Sequence, residues 1–134
     1  MAPQHWWFPV DATVDGRRLT GKVLKEEGKN GAHIALVASG TAHGVKPGDC
    51  VWFCSPRPRD QVIAVGVVQA NYRPTDGRHH RVVVALHPGR TALLMTDPLG
   101  FDRRSAYGRS RPFQDVGRDD AKRLTDWWSQ TERL

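Results

Sequence analysis

VKPGDCVWFCSPRPRDQVIAVGVVQANY, residues 45–72, reads as a turn, a strand, a polar loop and a second strand. Pro47-Gly48 is a turn pair, and Asp49 is a residue whose carboxylate bonds turn backbone. Residues 50–54 (CVWFC) and 62–70 (VIAVGVVQA) are β-branched and aromatic, as strands require. They pair as a hairpin across 55–61. Alternation puts Cys50, Trp52 and Cys54 on one face of the first strand.

Outward from this hairpin the pattern stays β-rich. Residues 32–38 (AHIALVA) and 81–86 (RVVVAL) read as strands, and so do 17–24 (RRLTGKVL). Residues 91–96 (TALLMT) are expected to complete the sheet. Asn30-Gly31 reads as a hairpin turn, because both residues tolerate positive φ. In His5-Trp6-Trp7-Phe8, Trp6 and Phe8 share one face and Trp7 takes the other. The period changes only at the C-terminus. From about Val116 the spacing of Ala121, Leu124, Trp127, Trp128 and Thr131 is helical. Asp119 and Asp120 sit near its start, where they suit the helix dipole. Trp127 and Trp128 are expected to pack this helix on the sheet. The sum is an α+β, β-rich fold, a small barrel or sandwich closed by a C-terminal helix, and 134 residues fit one domain.

Composition narrows the function. No apolar run is long enough to span a bilayer, and MAPQHWWFPV has no basic n-region and no long apolar core. A cytoplasmic location follows as the expectation. Cys50 and Cys54 are too few for a disulfide framework, lack the spacing of a zinc site, and read as buried thiols. The net charge is +6 and the pI about 9.9, a footprint of nucleic-acid binding. The charge is uneven. Residues 57–112 carry ten Arg, no Lys and four acids, a net of +6, whereas 1–56 are at +1 and 113–134 at −1. A GC-rich genome explains Arg over Lys but not the clustering.

The densest cluster is FDRRSAYGRSRPF, residues 101–113. Arg103, Arg104, Arg109 and Arg111 are candidate phosphate ligands, since a guanidinium donates two parallel hydrogen bonds. Tyr107 among them can stack on a base. Signatures of catalysis are missing: there is no G-x-S-x-G, no phosphate-binding glycine loop and no H-E-x-x-H. The basic segment is poor in the carboxylates a nuclease needs for metal. A non-enzymatic protein without cofactor or metal is expected.

VASGTAHGVKPGDCVWFCSPRPRDQVIAVGVVQANY, residues 37–72, resembles the centre of the EVE family in the PUA-like superfamily, which also holds ASCH, YTH and SRA-type readers. The resemblance rests on Gly40, Val45 and Pro47-Gly48-Asp49 opening the strand Val51-Trp52-Phe53, then a polar Pro loop and a strand of small residues. It implies a PUA-like pseudo-barrel of about six strands, with a pocket for a single nucleobase. Relatives tied to restriction systems read modified cytosine, such as 5-methylcytosine, by flipping the base into an aromatic pocket. Many relatives carry Trp three residues before the matched glycine; here that residue is Val37. The candidate walls are therefore Trp6, Trp7 and Phe53. Thr41, Ser55 and Asp97 are candidates for edge readout, and Asp97 can accept from a cytosine amino group. Arg57 and Arg59 join the phosphate ligands.

The leading expectation is a reader of modified cytosine in double-stranded DNA, alone or beside a nuclease domain or partner. An RNA-binding PUA-like module is the nearest alternative. A small ASCH-like enzyme and a protein–protein module with an incidental basic loop are the others.

Overall fold

A computed structural model describes residues 3–10, 13–14, 17–38, 42, 44–55, 61–73, 80–100 and 113–132. The strands are β1 (His5–Pro9), β2 (Thr13–Val14), β3 (Arg17–Arg18), β4 (His33–Ala38), β5 (Cys50–Ser55), β6 (Gln61–Tyr72), β7 (His80–Leu86), β8 (Leu99–Gly100) and β9 (Gln114–Asp115). The helices are α1 (Gly21–Lys29), α2 (Pro88–Thr96) and α3 (Arg118–Gln130). This is a mixed α+β, strand-rich fold. Its main sheet runs β4-β7-β6-β5-β1-β9, with β8 added to β6, and it is open among the described residues. β2 and β3 form a separate two-stranded ribbon.

The 45–72 hairpin is the sheet's centre, as its sequence implies. β5 and β6 are antiparallel from Cys50↔Val67 to Ser55↔Gln61, with a register shift between Phe53 and Cys54. A second shift lies between Val68 and Ala70 where β6 meets β7. Such bulges bend a strand and raise its twist. The twelve-residue β6 thus serves different partners along its length: β8 at Gln61–Val62, and β7 from Gly66 to Tyr72. β1 joins parallel to β5, with His5 opposite Cys50 and Pro9 opposite Cys54.

Alternation along β1 and β5 divides the core. Trp6, Phe8, Val51 and Phe53 face one cluster, which also holds Leu24, Leu36, Val82 and Phe113. Trp7, Trp52, Cys50 and Cys54 face the other, with Val62, Leu94 and Leu124. Trp7 and Trp52 are 1% and 0% exposed, and burying a large side chain stabilises by roughly 1.5–3 kcal/mol. α3 closes the second cluster as expected, setting Trp127 and Trp128 edge-on to Trp52 at centroid distances of 5.7 and 6.2 Å. Phe113 has φ +55°, a conformation that favours glycine, yet it is buried and meets Phe8 edge-on at 5.1 Å.

Three expectations are corrected. Residues 17–24 are not one strand: the strand is Arg17–Arg18, and a helix begins at Gly21. Thr20 caps it by accepting from Val23 N at 3.2 Å. Val23, Leu24 and Gly28 then turn one face inward. Gly28 opposes helix propensity, but a Cβ there would lie 2.7 Å from Thr91 Cγ2, so the α1–α2 crossing demands glycine. Asn30-Gly31 is not a hairpin turn either. Asn30 ends α1, and Gly31 at φ +60° takes the left-handed position after a helix. Residues 91–96 lie in α2 rather than in the sheet. His87 caps it, accepting from Arg90 N at 3.1 Å, and Pro88 stands in its first turn.

Candidate functional site

The turn before β5 is built by Asp49. Its carboxylate accepts from Lys46 N at 2.9 Å, Gln4 N at 3.1 Å and the Trp6 indole N–H at 3.0 Å. One buried carboxylate therefore joins the turn, the chain entering β1 and an aromatic ring. Trp6 is 7% exposed, and its ring lies against Gly44, where a Cβ would be 3.5 Å from Cη2.

A second anchor holds the same loop from the other side. Asn71 Nδ2 donates to Ala42 O and Val45 O, both at 2.9 Å. Its Oδ1 then faces His80 Nδ1 at 3.0 Å. An amide oxygen only accepts, so His80 carries its proton on Nδ1. Trp6, Asp49, Asn71 and His80 thus converge on the described parts of the loop between β4 and β5. Asp49 was legible in the sequence as a turn residue. Asn71 and His80 were not, although a polar Asn closing an apolar run was a signal.

Behind this site, Trp52 Nε1 donates to His5 Nδ1 at 2.9 Å, and His5 Nε2 lies 3.1 Å from Thr125 Oγ1. Thr125 Oγ1 donates to Ala121 O, so His5 donates from Nε2 and is held in one tautomer. Burial pushes His5 below the ordinary histidine range, while Asp49 and Asp115 pull it the other way. Burial, with Asp49 adding, pushes the Cys50 thiol up to about 11. Both cysteines are buried and neither is in a disulfide, and the raised Cys50 thiol stays protonated at neutral pH. Among the described residues no cluster of His, Cys, Asp or Glu could hold a metal ion.

The other expected pocket residues do not gather here. Trp7 faces the opposite cluster from Trp6. Phe53 shares the Trp6 face but is fully buried against Phe8 at 5.7 Å. Ser55 ends β5 at the far end from Asp49. Asp97 is exposed at the end of α2, two residues before the strand that pairs with Gln61–Val62. Ser55 and Asp97 thus lie towards one end of the sheet and Trp6 towards the other. Thr41, Arg57, Arg59, Arg103, Arg104, Tyr107, Arg109 and Arg111 lie outside the described residues. A separate groove of about 420 Å³ runs along α3, lined by Leu99, Trp127 and the polar Asp119, Lys122, Arg123, Asp126 and Gln130. It shares no residue with the Trp6 site. No described helix is long and apolar enough to cross a membrane.

No known protein family matches the chain, and no curated protein does. Among solved structures, the NMR structure of Rpa0253 from Rhodopseudomonas palustris is similar, with a TM-score of 0.52 at 12% identity. The match covers 89% of this chain and 88% of that one. At that identity the likeness concerns the fold alone.

Proposed function

We propose that this protein is a PUA-like, EVE-type reader that takes a modified cytosine of double-stranded DNA beside the loop between β4 and β5. One observation carries the reading: the loop bearing the EVE-like residues packs Gly44 on the Trp6 ring and is tied down by Asp49 and Asn71. A base reader needs a rigid aromatic beside a preorganised loop, because an extruded base loses its stacking and must regain it in the pocket. Thr41, next to Ala42 in that loop, is then a candidate for edge readout, and Trp6 for the wall. The arginines at 57, 59, 103, 104, 109 and 111, with Tyr107, serve the phosphates, which supply affinity without sequence information. A cytosine methyl group adds apolar contact of about 1 kcal/mol. Discrimination of several-fold over plain DNA is therefore expected.

The test is a gel shift with methylated, hydroxymethylated and plain duplexes, and matching RNA, at one salt concentration. Preference for one modified duplex supports the reading. Equal affinity for all three duplexes removes the modified-base claim, and tighter binding of the RNA transfers the site to an RNA-binding module. Changing Arg103, Arg104, Arg109 and Arg111 together to Ala is expected to flatten the salt dependence. Each lost phosphate contact reduces the log–log slope by roughly 0.9 on duplex DNA.

A further inference from the structure

Tyr72 closes β6 and is 60% exposed, the large hydrophobic side chain that stands in solvent among the described residues. Its register partner on β7 is Arg81, which is exposed, and exposed Arg73 follows it in the chain. Residues directly opposite on antiparallel strands have Cβ atoms about 4.5–5.5 Å apart, so a phenol ring and a guanidinium start from adjacent points. The neighbouring positions do the opposite job. Asn71 and His80 turn inward and hold the carbonyls of the β4–β5 loop. Alternation then directs Tyr72 and Arg81 outward. The rim of the candidate site and an outward aromatic–basic pair are thus one residue apart on both strands.

We propose that Tyr72, with Arg81 and Arg73, is a second nucleic-acid contact: a shelf on which one unpaired base stacks while the guanidiniums take its flanking phosphates. The inference rests on the reading of the chain as a nucleic-acid binder, and adds the strand next to the recognised base as ligand. Charge selects this occupant. All three residues belong to the 57–112 segment, whose excess of +6 suits a polyanion, and an exposed ring beside arginine is the pairing that stacks bases without regard to sequence. Tyr72 is part of no hydrophobic cluster, so its ring can be changed without opening the core.

The experiment is fluorescence anisotropy of the full chain and its variants with a labelled single-stranded DNA oligonucleotide, and with the same sequence as a duplex. Tyr72→Ala is expected to weaken single-strand binding about 5- to 50-fold, the range for losing one stacked base. Tyr72→Phe stays within about twofold, since the ring is kept. Arg81→Gln lowers the single-strand salt slope by roughly 0.7. Thermal unfolding of the two Tyr72 variants is expected to match the parent. If the parent binds DNA and Tyr72→Ala binds it equally well, the shelf is overturned and the reader stands. If the parent binds no oligonucleotide, both are overturned. A change of oligomeric state in Tyr72→Ala, with DNA affinity intact, assigns the patch to a protein contact and also overturns the shelf.

Discussion

Replacing Asp49 tests the account of the loop most directly. Its carboxylate accepts three hydrogen bonds, and the residue is 6% exposed. Asp49→Ala leaves the Trp6 indole N–H without a partner in a buried setting, which costs about 1–3 kcal/mol. The amides of Gln4 and Lys46 are only partly buried. Water can replace the carboxylate there, so each loss is roughly 0.5–1 kcal/mol. The total is about 3 kcal/mol. Asp49→Asn separates the contributions. An amide oxygen in the place of Oδ2 still accepts from Trp6 and Lys46, while the amide nitrogen opposes Gln4 N–H. That loss is about 1–1.5 kcal/mol. Urea unfolding followed by tryptophan fluorescence gives both values from the midpoints, provided the slope is unchanged. A domain of this size shifts by roughly 3–5 °C per kcal/mol, so Asp49→Ala is expected to melt about 10 °C lower. Equal stabilities for Ala and Asn, or a cost below about 1 kcal/mol for Ala, would refute the claim that this carboxylate organises the loop.

Three other perturbations probe the scaffold. Gly28→Ala raises helix propensity but drives a methyl into Thr91, whose hydroxyl is pinned by Val65 N and O; calorimetry is expected to show a net loss of about 1–2 kcal/mol. Arg90 is buried, 3.8 Å over the Trp128 ring, and donates to Trp128 O at 2.8 Å and Thr131 Oγ1 at 3.0 Å. Arg90→Ala is expected to cost about 2–3 kcal/mol, and Arg90→Lys to restore less than half in chemical denaturation, because an ammonium cannot reproduce the fork. Burial holds His5 and His87 below the ordinary histidine value of 6.5, and Arg90, whose donors face both ring nitrogens of His87, adds to that shift. The unfolded chain therefore binds more protons between 6.5 and the lowered folded values. Stability is full above about pH 6.5 and falls as the pH drops through that window. Urea midpoints at pH 7.5 and 5 are expected to show it, with a smaller drop in His5→Gln.

The readable parts of the chain were those where local chemistry and tertiary packing agree. The Pro-Gly-Asp turn, the two strands around it and the split of Trp6 and Phe8 from Trp7 follow from turn residues and a period of two. Trp127 and Trp128 recur at helical spacing and pack as that spacing implies. Residues 17–24 and 91–96 misled because each is a short run of apolar and β-branched residues, where strand and helix patterns overlap. Their caps, Thr20 and His87 with Pro88, carry the helix signal. Gly28 argued against a helix, and its reason lies in Thr91, far along the chain. The candidate site was half legible for the same cause. Asp49 acts on its own turn, whereas Asn71 reaches carbonyls 29 and 26 residues away.

Phe113 and β8 set a length scale for the arginine-rich segment. β8 fastens Gly100 to Gln61, and Phe113 is driven into the core against Phe8 despite its positive φ. Gly100 and Phe113, which flank residues 101–112 in the chain, are therefore both fixed in the fold. Twelve residues, going out and returning, reach at most about 20 Å from the anchors, which is the length of about six base pairs of duplex. In the proposed reader, the reach of Arg103, Arg104, Arg109 and Arg111 towards a phosphate is thus bounded by the positions of Gly100 and the buried Phe113.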